Sequence, residues 1–347
     1  MFVKNLKSSL VLNKDTIKKC ILLLVRSGHQ IIFVTNIKKQ LIGSITDGDI
    51  RRALLNKNTV DDKIKNIYNT KPFKCSNSTT YAEAEKIMVI NNINHLPVVN
   101  KNNVIQGFFK LSKNKNYNNK NCEFIIMAGG KGERLMPLTL RTPKPMLKIN
   151  GSPILETIIY KAKNFGFSDF YISINYLGNV IRKYFKGGDK HNCSIKYINE
   201  KKPQGTIGSI GNIKKKLNHK NIIIVNGDVV SDINYESLLK FHENNNADAT
   251  MAVYPYKMQN PYGEVVIRGQ NIIKINEKPV SISYVNSGVY VFKNEILKFI
   301  KKNCYMDAID LFNLLKKKKR KIIAFAIHEN WVDVGLKNEY LKLKNKK

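Results

Sequence analysis

The sequence predicts an α/β fold: a layered domain with a mostly parallel sheet, preceded by a smaller module made of two copies of one unit. Three observations carry this. From residue 123 onward, short apolar runs alternate with helix-period stretches, the pattern of strands joined through helices. A glycine turn, Gly129-Gly130-Lys131-Gly132, follows directly on an apolar strand, Phe124–Ala128. In the first third, Asn36 and Asn100, and likewise Gly43 and Gly107, stand at one offset of 64 residues.

The repeat comes first in the chain. His29–Asn36 with Leu41-Ile42-Gly43 reappears as Asn94–Asn100 with Ile105-Gln106-Gly107, each reading as a strand hairpin set between helices. Next, Lys113–Asn121 (KNKNYNNKN) is polar and nearly devoid of apolar residues, so it reads as a linker. The expected boundaries are a module over residues 1–115, a linker over 116–122 and a larger α/β domain over 123–347.

Within the third segment, Ser152 is expected to cap a helix and Pro153 to open its first turn. Ile154, Leu155, Ile158, Ile159 and Ala162 line one face before Gly166 closes it. Phe170–Ile174 reads as a strand, and Ile222-Ile223-Ile224-Val225 as a strand buried on both faces. The basic run Lys316–Arg320 follows an apolar stretch and suits a helix C-terminus.

Composition narrows the function classes. The net charge of +33 points by itself to nucleic acid or an anionic membrane. Yet only eight of the 59 basic residues are arginine, the residue that base-reading and phosphate-clamping surfaces favour, and the lysines are spread along the whole chain. A codon-driven lysine bias explains this better, so neither a nucleic-acid nor a membrane partner is expected. Five scattered cysteines without a Cys-x-x-Cys pair argue for free thiols in a reducing cytoplasm and against zinc. No apolar run approaches the ~18 residues of a membrane helix.

Chemistry concentrates around residue 130. Glycines let a backbone approach a polyanion and expose its N–H groups. Arg134 and Lys144 add a forked and a point-like positive charge for phosphate oxygens. A Walker loop needs Gly-Lys-Ser/Thr, but Gly132 is followed by Glu133, and a dinucleotide fingerprint needs a third glycine where Leu135 stands. Asn226-Gly227-Asp228 follows the buried strand, where open α/β sheets place ligands, although such a turn also has a plain structural use. A second acid, Asp333, lies far away in Trp331–Gly335. Two carboxylates with triphosphate oxygens and water can complete the octahedral shell of Mg²⁺.

Gly-x-Gly-x-Arg-Leu-x-Pro-Leu-Thr (Gly130–Thr139), followed by Thr-Pro-Lys-Pro-Met (Thr142–Met146), resembles the signature of sugar-1-phosphate nucleotidyltransferases. That resemblance implies a Rossmann-like three-layer domain with a mostly parallel mixed sheet, and it assigns roles by position. Ala128, Gly129, Gly130 and Gly132 with Arg134 would hold the triphosphate, and Lys144 would neutralise charge around the α-phosphate. Asp228 and Asp333 would bind Mg²⁺. Glu277-Lys278-Pro279 matches the family's Glu-Lys-Pro element, with Glu277 on sugar hydroxyls and Lys278 on the sugar phosphate. Asn286, in Asn-Ser-Gly-Val-Tyr, would lie near the sugar, and Gly263 would offer it a backbone contact.

Glu200–Gly208 (EKKPQGTIG) resembles the base-reading loop, often Glu-x-x-Pro-Leu-Gly-Thr-Ala-Gly; Gln204 and Ile207 depart from that form and read as tolerable changes. Glu200, Gly205 and Thr206 are the expected nucleotide contacts. An ionised Glu200 only accepts hydrogen bonds. Guanine offers a ring N–H beside an amine, whereas thymine and uracil flank their one N–H with carbonyls, so GTP is favoured. The plain alternative has Glu200 facing Lys201 or solvent.

The N-terminal repeats resemble CBS domains, two of which pair into a tandem (Bateman) module. Gly43–Asp49 matches that family's Gly-x-x-Thr-x-x-Asp motif, implying that Thr46 meets the phosphate and Asp49 the ribose hydroxyls of an adenine or guanine nucleotide effector. The second copy has Lys110 and Lys113 at those places, so at most one site is intact, and a purely structural or dimerising module is the alternative. Paired CBS repeats joined to this transferase resemble a bacterial group of guanylyltransferases that act on glucosamine 1-phosphate for legionaminic acid. This implies a cytoplasmic homo-oligomer using GTP and a sugar-1-phosphate, with mannose or heptose 1-phosphate or another nucleotide as alternatives. The contrasting class is a nucleotide sensor carrying an inactive transferase-like domain. Intact Arg134, Lys144, Asp228, Lys278 and Asp333 argue against it.

Overall fold

A computed structural model describes residues 1–91, 93–111, 122–335, 340–341 and 343–344 of the chain. It divides into two compact units, Met1–Asn116 and Tyr117–Lys347. The polar run expected as a linker, and Lys113 with it, lies outside the described residues.

In the first unit the elements are β1 (Phe2–Val3), β2 (Leu10–Leu12), α1 (Ile17–Ser27), β3 (Ile31–Thr35), β4 (Leu41–Thr46) and α2 (Asp47–Leu55). There follow β5 (Cys75–Ser76), α3 (Tyr81–Ile90), β6 (His95–Val99) and β7 (Ile105–Lys110). The 64-residue offset recurs at every level. Thr16 caps α1 and Thr80 caps α3, each hydroxyl accepting from the backbone N–H three residues on. Hairpins β3–β4 and β6–β7 are antiparallel, and their registers slip at equivalent places, Val34/Thr35 and Val98/Val99. A Cβ on Gly43 would collide with the Tyr68 ring, and one on Gly107 with the Phe2 ring. Close packing against these rings accounts for glycine at both positions. The sheets run β2-β3-β4 and β1-β7-β6-β5, and Phe33 and Phe108 join them in one core at a ring separation of 5.3 Å.

The second unit opens with β8 (Cys122–Met127), so Cys122, expected in the linker, is instead a buried strand residue. Then come a short hairpin, β9 (Lys148–Ile149) and β10 (Ser152–Pro153), α4 (Ile154–Asn164), β11 (Asp169–Ile174), α5 (Gly178–Phe185), β12 (Ser194–Asn199) and β13 (Asn221–Asn226). After these run β14 (Val229–Ser231), α6 (Tyr235–Asn244), β15 (Ala249–Gln259), β16 (Glu264–Arg268), β17 (Asn271–Asn276) and β18 (Val280–Lys293). The unit ends with α7 (Ala308–Lys317), β19 (Ile322–Ala326) and β20 (Trp331–Asp333). Ser152 is not the cap of α4. It pairs with Ile149, and Pro153 stands at the N-cap, where its ring fixes an extended entry without a side-chain bond.

The seven-stranded sheet has the order β12-β11-β8-β13-β18-β15-β19. All its neighbours are parallel except those of β18, which runs against both β13 and β15. Strand residues alternate between two cores, as their period of two requires. Phe124, Ile126, Ile223 and Val225 pack with α4 and α6 on one face. Ile125, Ile222 and Ile224 pack with Leu311, Phe312 and Leu315 of α7 on the other. This is the three-layer arrangement. Ile224 is fully buried, so Ile224→Ala is expected to cost about 2–5 kcal/mol of stability, read as a lower urea midpoint at unchanged slope.

His242 of α6 is buried, with Nδ1 2.8 Å from the Thr250 hydroxyl. Burial and then the Lys293 charge push its pKa down to about 4. In the unfolded chain a histidine titrates near ~6.5, so between that pH and about 4 the unfolded state binds the extra proton. Stability should therefore fall as pH drops through this window, by up to ~1.4 kcal/mol per unit. Denaturant titrations across it should show that part of the slope vanish in His242→Gln. The five cysteines are free. Among the described residues, no helix is long and apolar enough to cross a membrane.

Candidate active site

A cleft of 590 Å³ opens at the carboxyl ends of β8 and β13. Ala128, Gly129, Gly130, Gly132, Arg134, Lys144, Glu200, Gly205, Thr206 and Asp228 all line it. The backbone that makes the glycine turn is specific. Gly132 adopts φ +65°, and a Cβ there would sit 3.0 Å from Thr139 and 3.1 Å from Lys144. The Thr139 hydroxyl donates to the Gly132 carbonyl at 3.0 Å and fastens the turn to the Thr-Pro-Lys segment behind it. Arg134 lies exposed on the cleft wall and has no ion pair among the described residues.

Lys144 follows Pro143 in a single 3₁₀ turn and is 8% exposed. Its ammonium pairs with the Asp228 carboxylate and lies 3.7 Å from Asp333. The two acids are brought together by a short ribbon in which β14 and β20 pair antiparallel with Val229 opposite Asp333. The Val334 N–H closes it on the Asp228 carbonyl at 3.3 Å. Burial, and after it the Asp228 charge, raise the Asp333 carboxyl above its usual range against the pull of Lys144 and Arg134. Two carboxylates held this close, with only a lysine between them, fit a hard divalent cation that takes its remaining oxygens from phosphate and water. Among the described residues no cluster of three or more acids, histidines or cysteines offers a complete metal cage.

Glu200 sits beside the turn. Its Oε1 accepts from the Ser173 hydroxyl at 2.6 Å and Oε2 from the Gln204 N–H at 3.3 Å. A Cβ on Gly129 would stand 2.9 Å from Oε1, so any side chain there would push the carboxylate from its present place. Glu200 thus faces the cleft rather than Lys201 or open solvent.

The expected sugar residues do not line this cleft. Gly263 and Glu277 face each other, a Cβ on the glycine falling 3.1 Å from Glu277 Oε2. Glu277 and Lys278 are exposed in the turn between β17 and β18, with Lys278 at φ +45° and without an ion pair among the described residues. Asn286 lies on β18, which pairs with β13. Its amide donates to the Tyr290 hydroxyl at 2.9 Å, and Gly288, two residues on, is packed against Asn226. In the first unit, Thr46 and Asp49 form a capping box on α2: Asp49 accepts from the Thr46 N–H at 2.8 Å and hydroxyl at 2.6 Å, and Arg52 pairs with it. Helix capping alone accounts for both residue types at that spacing.

Sequence reasoning missed Tyr305 and Asp307, which line the far wall of the cleft. Asp307 Oδ1 accepts from the Thr206 N–H at 2.9 Å and Oδ2 from the Tyr305 hydroxyl at 2.7 Å, while the Thr206 hydroxyl accepts from the Ala308 N–H at 2.7 Å. These bonds lock the Glu200–Gly208 loop onto the start of α7. The only signal in the sequence was an Asp-x-x-Asp helix start, which does not reveal what the aspartate holds.

The nucleotidyl transferase family matches residues 123–347, and the CBS domain family matches 10–56 and 64–112. A D-glycero-alpha-D-manno-heptose 1-phosphate guanylyltransferase of Aneurinibacillus thermoaerophilus is 30% identical over 63% of this chain and 96% of its own length. A mannose-1-phosphate guanylyltransferase of Mycobacterium tuberculosis is 29% identical over 63% of this chain, which spans 62% of that relative's length. Among solved structures, HddC from Yersinia pseudotuberculosis shares the fold, with a TM-score of 0.51 and 24% identity over 65% of this chain and 98% of that one.

Proposed function

We propose, from the premise that this chain belongs to the nucleotidyl transferase family and carries two CBS domains ahead of the transferase, that it is a sugar-1-phosphate guanylyltransferase. A phosphate oxygen of the sugar-1-phosphate attacks the α-phosphorus of GTP, the α–β bridging P–O bond breaks, and pyrophosphate leaves as GDP-sugar forms. Positioning and charge neutralisation supply the catalysis, with no protein nucleophile. One observation carries the reading: a single cleft joins the glycine turn, Arg134, Lys144 and Asp228 at the carboxyl ends of adjacent strands.

In this reading the Gly129–Gly132 backbone and Arg134 bind the triphosphate, and Lys144 moves from Asp228 to the α-phosphate. Asp228 and Asp333 would hold Mg²⁺, which when bound would screen the repulsion between the two phosphate substrates. Lys278 and Glu277 reach the sugar phosphate and hydroxyls. Guanine is supported by Glu200, whose carboxylate meets paired donors, and by relatives named as guanylyltransferases. For the sugar, paired CBS repeats favour glucosamine 1-phosphate on the way to legionaminic acid, while the relatives' names bring heptose and mannose 1-phosphates into the comparison.

Pyrophosphate release from each nucleoside triphosphate against glucosamine, mannose, heptose and glucose 1-phosphates tests this. GTP is expected to lead with one sugar. Turnover led by UTP, CTP or dTTP would overturn the guanylyl assignment. The CBS pair is proposed to bind a purine nucleotide through Thr46 and Asp49 in its first copy. Calorimetry with AMP, ATP and GTP on the full chain should show a heat component that Asp49→Ala abolishes, and no such component with any of the three would remove that role.

A further inference from the structure

We propose that Gln204 reads the O6 edge of guanine, completing with Glu200 a recognition pair that makes the protein a guanine rather than a general nucleotide enzyme; this rests on the guanylyl reading above. Gln204 stands where the resembled loop commonly has leucine. It lines the cleft yet is only 6% exposed, so an apolar side chain would serve if packing were its sole task.

A relay of amides fixes how its side chain points. The Asn303 backbone N–H is a donor, so the Asn212 oxygen must face it, and it accepts at 2.9 Å. Asn212 Nδ2 then faces the other way and donates to Gln204 Oε1 at 2.9 Å. With its carbonyl consumed, Gln204 is left with Nε2, which has no acceptor among the described residues. The backbone is pinned as well, its N–H donating to Glu200 and its carbonyl accepting from the Met306 N–H at 3.0 Å. The cleft wall therefore presents a carboxylate and an amide N–H₂ from one turn, an acceptor beside a donor.

Guanine is the base that complements this order. Its ring N–H and amine meet Glu200, and its O6 accepts from Gln204. Adenine turned the same way sets its amine against the Gln204 amide and a ring acceptor against the carboxylate. Uracil satisfies Gln204 through O4 but turns O2 towards Glu200. Rejection follows from leaving cleft groups unpaired, which discriminates far more strongly than a missing methylene.

Gln204→Glu keeps an oxygen for Asn212 but exchanges the donor for an anionic acceptor, so it loses the bond to O6 and adds repulsion towards Glu200 and the base carbonyl. GTP binding by calorimetry and KM for GTP should weaken by roughly 10–100-fold, with kcat changed much less. Gln204→Met, uncharged and of similar size, should lower the GTP-to-ATP preference at least about tenfold. Should Gln204→Glu bind GTP like the unmodified protein, or Gln204→Met weaken all nucleotides equally, Gln204 is structural and the inference falls. Should the unmodified protein turn over no GTP with any sugar-1-phosphate, the guanylyl reading itself fails, a separate outcome.

Discussion

Lys144→Met is expected to lower turnover roughly a thousandfold or more while the protein stays folded. Among the described residues lining the cleft, Lys144 is the one buried cation, and it lies against both Asp228 and Asp333. A lysine this desolvated gives a stronger field than a surface charge, and the charge on the transferring phosphoryl oxygens is where that field counts. The fold should survive, because Asp333 is half-exposed and Asp228 partly so, and both hydrate once their partner is gone. Pyrophosphate release at saturating GTP, set beside circular dichroism and the thermal midpoint, separates the two effects. A variant within tenfold of normal turnover contradicts the assignment.

Asp228→Asn should be comparably damaging, for a different reason. The change keeps size and shape but removes one of the two anionic ligands a cation would find, leaving Asp333 alone 3.7 Å from Lys144. Turnover is expected to drop by about three orders of magnitude, and the Mg²⁺ concentration for half-maximal rate to rise more than about tenfold. An unchanged magnesium profile would show that Asp228 shapes the turn after β13 and does nothing else. Asp333→Asn should act in the same direction but more weakly, since its carboxylate is the more exposed of the two.

Much of the fold is legible because local signals repeat. The offset between Gly43 and Gly107 carries its helix caps and bulges with it, and the strand Ile222–Val225 has no polar face to turn outward. The site is legible where residues adjacent in sequence act together, as in Gly129–Arg134. What escapes is pairing at long range. Lys144 meets Asp228 across 84 residues, and Thr206 meets Asp307 across 101, through ladders that no local pattern encodes. Gln204 reads as a tolerable departure until Asn303 and Asn212 fix its amide. Ser152 misleads in the opposite way: its residue type suits a cap, but the hairpin of β9 and β10 claims it first.

The most direct measurement is a crystal structure with Mg²⁺ and a non-hydrolysable GTP analogue. The expected result has the triphosphate on the Gly129–Gly132 backbone, the cation on Asp228 and Asp333, Lys144 turned from Asp228 to the α-phosphate, and guanine against Glu200 and Gln204. Clear density for the analogue outside this cleft, or a cation bound without either aspartate, would contradict it.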